Sequence, residues 1–217
     1  MIITGTQAKA ADIYAIETLG IPSLTLMENA SREVMEYLAS NYASASILIL
    51  CGTGNNGADG VCIANLILND KRFALKPTVL ILGSIERASW EFLHQLSQLR
   101  RSGGNFRILT PGDSMPEAEV LVDAIFGIGL RSELRESRAA VLGAVDAMSY
   151  RHVIAVDIPS GINSDTGELM GAGIHANTTI TFGCMKTGLV NEAGKEYAGE
   201  VIVKDIGIPQ IAYTSVI

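Results

Sequence analysis

Apolar positions along the chain follow two periods, one helical and one extended. Residues 6–19 and 23–38 place Ala8, Ala11, Ile13, Ala15 and Ile16, then Leu24, Met27, Val34, Met35 and Leu38, loosely near a 3.6-residue spacing. Gly20 and Pro22 interrupt the chain between these two helical stretches. Residues 46–51 then form an unbroken apolar run ending in glycines, which is how a parallel strand covered on both faces reads. Beyond it the pattern predicts a helix over 60–68, a strand over 77–82, a helix over 86–99 and a short strand over 106–109. A Pro/Gly-rich turn leads to a strand over 120–123, a helix over 138–148 and a strand over 152–157. The final third carries β-branched strands at 176–182 and 200–205, separated by polar loops. Such alternation predicts an α/β fold: a three-layer α/β/α sandwich around a mostly parallel sheet, with the N-terminal helix pair packed outside it. No repeat, low-complexity tract or linker divides residues 1–217, so a single domain is expected.

Composition narrows the partners. The net charge is −7, which disfavours non-specific nucleic-acid binding, because that needs surplus Lys and Arg to neutralise phosphates. A small anionic ligand stays open, since helix N-terminal amides or a bound cation can hold phosphates without net basic charge. The three cysteines, Cys51, Cys62 and Cys184, are scattered and form no CxxC pair, so they read as buried core residues in a reducing compartment. The start of the chain has no basic segment followed by an apolar one, and no uncharged apolar run approaches membrane-spanning length. A cytoplasmic protein without a membrane partner is expected.

In open parallel sheets, ligands bind beyond the carboxyl ends of the strands. Three such ends carry unusual polar residues: Cys51-Gly-Thr-Gly-Asn-Asn-Gly-Ala-Asp-Gly60, Asp123-Ala-Ile-Phe-Gly-Ile-Gly129 and Asp157-Ile-Pro-Ser-Gly161. The first matches GxGxxG through Gly52, Gly54 and Gly57, a weak signal that a tight turn also explains. A dinucleotide fingerprint wants an acidic residue about 20 residues on, at the end of the next strand. Asp70 precedes that strand instead, and this weakens a dehydrogenase reading. Asn55 and Asn56 serve either a ligand or the turn and helix cap; Asp123 serves either a site or the next helix's cap. Asn56, Asp123 and Ser160 together offer hard oxygens of low charge, a set suited to a monovalent cation. His94, His152 and His175 lie in unrelated contexts and read as structural or surface residues.

These segments carry a resemblance. Leu26-Met-Glu-Asn-Ala30, Gly54-Asn-Asn-Gly-Ala-Asp-Gly60, the Asp123 and Asp157 segments, and Thr179-Ile-Thr-Phe182 followed by Lys186 look like the YjeF N-terminal family. The resemblance implies a Rossmann-like fold, epimerisation of hydrated NADH and NADPH, a bound potassium ion and a homodimer. It implies substrate contacts at Asn55, Asn56, Gly57, Ala58, Asp59 and Asp157, and along the loop Gly127, Ile128, Gly129, Leu130, Arg131, Ser132 and Glu133. It implies Asn56, Asp123 and Ser160 as potassium ligands. Asp157 is the expected proton-handling group, whereas Lys186 reads equally as a charge partner for the substrate or a surface lysine. Ala58 and Ser31 depart from the family pattern, which has glycine at both positions. A second, kinase-like domain that dehydrates the hydrate in many bacterial relatives is not part of this sequence, so a separate dehydratase is the expected functional partner. The rival reading is a non-catalytic interaction module of the same fold.

Overall fold

The computed structural model describes residues 1–110 and 112–217. The Pro/Gly-rich turn expected near 111 thus begins outside the described residues. After a two-residue strand β1 (Ile2–Ile3), helix α1 (Gly5–Ile13) starts on a capping box. Thr4 Oγ1 accepts from the Gln7 amide at 3.0 Å, and Gln7 Oε1 accepts from the Thr4 amide at 2.9 Å. A π-helical turn (Tyr14–Thr18) ends this segment before α2 (Ser23–Tyr42). The expected alternation follows: β2 (Ile47–Cys51), α3 (Asn55–Leu68), β3 (Thr78–Ile81), α4 (Trp90–Arg101), β4 (Phe106–Ile108), β5 (Val120–Ala124), α5 (Glu136–Asp146) and β6 (His152–Val156). The last third holds β7 (Thr178–Phe182), β8 (Met185–Lys186), α6 (Thr187–Val190), α7 (Glu192–Ala198), β9 (Glu200–Lys204) and α8 (Gln210–Thr214).

Seven strands form one fully parallel sheet in the order β4-β3-β2-β5-β6-β7-β9, and β1 pairs separately with β8. The two-residue period of β2 assigns its side chains to two cores. Ile47, Ile49 and Cys51 pack with Met27, Val34 and Leu38 of α2, Ile63 of α3 and Phe92 of α4. Leu48 and Leu50 pack with Leu142 and Val145 of α5 on the other face. The three-layer expectation is met. Within the N-terminal pair, α2 lies directly on the sheet, while Ala8 and Ala11 of α1 pack against Leu26, Ala30 and Tyr213 at its rim.

Three differences from the expected elements have clear causes. Helix α3 begins at Asn55 rather than near 60, because its first turn is built of polar and small residues that show no apolar period. Helix α4 begins at Trp90, where the Ser89 hydroxyl accepts from the Phe92 amide at 3.2 Å; a 3-10 turn (Ile85–Arg87) precedes it. The pairing of β1 with β8 and the helices α6, α7 and α8 are too short to leave a periodic signature. All three cysteines are buried and free.

Candidate functional site

The chain winds outward from β2 through β3 to β4, then returns to β5 on the opposite flank of β2. The loops leaving β2 and β5 diverge at this reversal, and a crevice is expected between them. A cleft of about 890 Å³ lies there, large enough for a dinucleotide-sized ligand. Helix α3 forms one wall, capped by extended Gly54. The cap removes the alternative in which Asn55 makes the turn and Asn56 caps the helix: both lie in its first turn. A Cβ at Gly57 would sit 2.0 Å from the Gly52 carbonyl oxygen, so only glycine lets this turn close onto the end of β2. Ala58, by contrast, packs into the core with no exposure, away from that close approach. Ser31 is equally buried, its hydroxyl 3.2 Å from the Asp59 carbonyl oxygen.

Beneath the cleft, Asp123 of β5 and Ser160 are fully buried. Asp123 Oδ2 accepts from the Ser160 amide at 2.7 Å, and Oδ1 accepts from the Ser160 hydroxyl at 2.5 Å and the Ile125 amide at 3.3 Å. Burial pushes the Asp123 carboxyl up to about 6, opposed by the Ser160 hydroxyl and the amides of Ser160 and Ile125. Ser160 Oγ also accepts from the Phe126 amide at 2.9 Å, tying the loop after β6 to the loop after β5. Asn56 adjoins that same loop: a Cβ on Gly127 would lie 3.1 Å from Asn56 Oδ1. Its Nδ2 is buried without a hydrogen-bond partner among the described residues. Two members of the expected trio are therefore in direct contact, and the third reaches them through residues 126–127.

A second polar group surrounds Asp157, which leaves β6 with φ +67, a left-handed conformation found at no other non-glycine among the described residues. Aspartate tolerates this geometry better than most side chains do, but such strain concentrates at functional sites. Three donors converge on its Oδ1: Lys186 Nζ at 2.6 Å, Thr181 Oγ1 at 3.0 Å and the Phe182 amide at 3.4 Å. Oδ2 takes none of these bonds. Lys186 is only 2% exposed and also donates to Thr181 Oγ1 and the Phe182 carbonyl, so the surface-lysine reading is overturned. Sequence patterning missed Asp12 of α1, which lines the cleft half-buried. Burial and the Asp157 charge push its carboxyl up to about 7, partly offset by Lys186. Asp59 lines the same cleft, and burial and neighbouring carboxylates, Asp157 first among them, raise its carboxyl too.

Of the expected substrate contacts, Asn55, Asn56, Asp59, Gly127, Ile128, Gly129, Leu130, Arg131, Ser132 and Asp157 line the cleft. Gly57 and Ala58 lie in the helix wall behind it, and Glu133 is exposed outside it. Arg131 is ion-paired with Asp165, and Arg138 lies 5.7 Å from the Phe126 ring centre. Asp70 is held by Arg72 at 2.5 Å on the surface, and β3 ends in Ile81-Leu-Gly without the acidic residue of a dinucleotide fingerprint. None of the three histidines lines the cleft; His152 instead bonds Thr178 at 3.0 Å, and His175 stacks on Tyr197.

The family model for the YjeF-related protein N-terminus matches residues 23–188. A Limosilactobacillus fermentum protein named NAD(P)H-hydrate epimerase is 40% identical over 94% of this chain and 95% of its own length. A Leuconostoc citreum protein of the same name is 38% identical over 95% and 90%. Among solved structures, yeast ynu0 (YNL200c) shares the fold with a TM-score of 0.76 at 19% identity, covering 87% of this chain and 82% of that one.

Proposed function

The chain belongs to the YjeF-related N-terminal family, and on that premise we propose that it is an NAD(P)H-hydrate epimerase acting on hydrated NADH and NADPH. The observation that carries this reading is the Asp157 carboxylate, strained, ion-paired through one oxygen and lining the cleft with a second oxygen that takes no hydrogen bond among the described residues. In the hydrate, C6 of the reduced nicotinamide ring bears a hydroxyl beside the ring nitrogen. The nitrogen lone pair can expel that hydroxyl once it is protonated, leaving an iminium ion. Water returning to the opposite face gives the other epimer. Asp157 handles protons at this centre as a general acid/base.

Electrostatics orient the substrate. The carboxyls Asp12, Asp59 and Asp157 repel a diphosphate, whereas Arg87 and Arg138 line the cleft beside the amides that open α3. The diphosphate therefore belongs with the arginines and the helix N-terminus, and the nicotinamide with the carboxyls. Asn56, Asp123 and Ser160 fit a potassium ion: a carboxamide oxygen, a single buried carboxylate and a buried hydroxyl give hard donors of low total charge. When bound, the ion supplies positive charge beside the cleft. The reading extends to a homodimer and to a separate dehydratase that consumes one epimer.

The test mixes purified protein with NADHX made by heat or acid and follows both epimers by chromatography, with and without potassium. Equilibration well above the spontaneous rate, faster with potassium, supports the reading. Equilibration at the spontaneous rate under both conditions refutes it.

A further inference from the structure

A ring carbon that loses a hydroxyl from one face and gains water on the other needs proton transfer on both faces. One fixed carboxylate reaches one face. We propose that Asp12 is a second catalytic carboxyl, serving the face of the nicotinamide ring opposite Asp157; this rests on the epimerase reading.

Three observations carry the assignment. Asp12 lines the same cleft as Asp157 but arrives on a different element, α1 rather than the end of β6. Its carboxyl makes no hydrogen bond or ion pair among the described residues, although it senses the charges of Asp157 and Lys186. The two carboxyls thus line one cleft with no hydrogen bond between them among the described residues. Finally, α1 is held rigidly. Its first turn has a capping box, the Gly5 amide donates to Asp165 Oδ1 at 2.6 Å, and Ala8 and Ala11 pack beside Tyr213 of α8. A carboxyl left unpaired on so constrained a helix is positioned but not consumed by structure.

The charged and titratable groups around Asp12 are Asp157 after β6, Lys186 of β8, Asp59 of α3, Tyr213 of α8 and Lys9 of its own helix. Burial and the Asp157 charge place the Asp12 carboxyl near 7, so neutral solution holds both of its forms, as suits a general acid. For one epimer, protonated Asp12 donates to the C6 hydroxyl, the C6–O bond breaks, water departs and the nitrogen lone pair forms the C6–N double bond. A second water attacks C6 from the other face, the π pair returns to nitrogen, and the water's proton passes to the Asp157 carboxylate. The reverse direction begins with Asp157 as donor, and exchange with solvent through the open cleft resets the two protons.

The experiment compares wild type, Asp12→Asn and Asp12→Glu, measuring kcat, KM and the pH–rate profile from 5.5 to 8.5, with circular dichroism to confirm folding. Expected are a fall of about 100-fold or more in kcat for Asp12→Asn with KM within about threefold, and partial recovery in Asp12→Glu. The wild-type rate should fall as pH rises through about 7, and Asp12→Asn should lose that limb. A purely structural Asp12 would leave the limb in place. Asp12→Asn activity within threefold of an active wild type, or a flat wild-type profile, overturns the assignment while sparing the epimerase reading. A wild type that leaves the epimers at their spontaneous rate removes both.

Discussion

Asp123 and Asp157 stand at the carboxyl ends of adjacent strands, β5 and β6, yet the protein treats them in opposite ways. Asp123 has no exposure, and both its oxygens are engaged by Ser160 and Ile125. Asp157 is strained and 9% exposed, and it gathers all its donors on one oxygen. A satisfied buried network fixes geometry, joining two loops and presenting hard oxygens. A carboxylate with spare capacity, held by a buried ammonium, can exchange a proton with a ligand. On the proposed reading, two aspartates leaving one sheet divide construction from chemistry.

The largest expected effect comes from Asp157→Asn. Its carboxamide oxygen can still accept from Lys186, so folding should persist while kcat falls about 100- to 10,000-fold. Stopped chromatographic time courses check this. Lys186→Met attacks the support of the same site. Removing one partner of a buried ion pair typically costs about 3–5 kcal/mol, measurable by urea unfolding, and a smaller loss would show the pair to be dispensable.

That support was only partly legible from sequence. Asp123, Asp157 and Asn56 announce themselves because polar residues follow apolar strands, and the sheet brings such ends to one rim. Asp12 could not be found this way. It sits on a helix stripe where a polar residue reads as solvent-facing, and only the packing of α1 at the rim turns it toward the cleft. Lys186 was ambiguous for a related reason: burial of a lysine depends on its partner, and Asp157 lies 29 residues away in the chain. The start of α3 was misplaced because a helix's first turn at a ligand site is selected for backbone access rather than apolar periodicity.

On the construction side, Ser160→Ala should cost about 1–3 kcal/mol, since Asp123 Oδ1 and the Phe126 amide each lose a partner. It should also abolish the rise in Tm that potassium chloride, relative to lithium chloride, gives the wild type. An unchanged potassium response would remove Ser160 from the ion's ligands.

Asp12 gives a smaller, pH-dependent effect. Its folded-state carboxyl, near 7, lies above the ordinary value of 3.8, so the folded state binds this proton more tightly. The associated stability is full below about pH 4 and lost as pH rises through 7. Asp12→Asn should therefore raise Tm relative to wild type at pH 8 but not at pH 4; equal shifts at both would contradict it. Smallest of all, Asp70→Asn, on the surface beside Arg72, should leave the epimerisation rate unchanged.

Isotope uptake tests the chemistry assigned to Asp157 most directly. With wild type and Asp157→Asn in ¹⁸O-water, mass spectrometry of the separated epimers reads both inversion and oxygen exchange at C6. The account predicts that label enters in step with inversion in the wild type, and that the two rates fall together in the variant. Inversion without label, or an undiminished rate in Asp157→Asn, would contradict it.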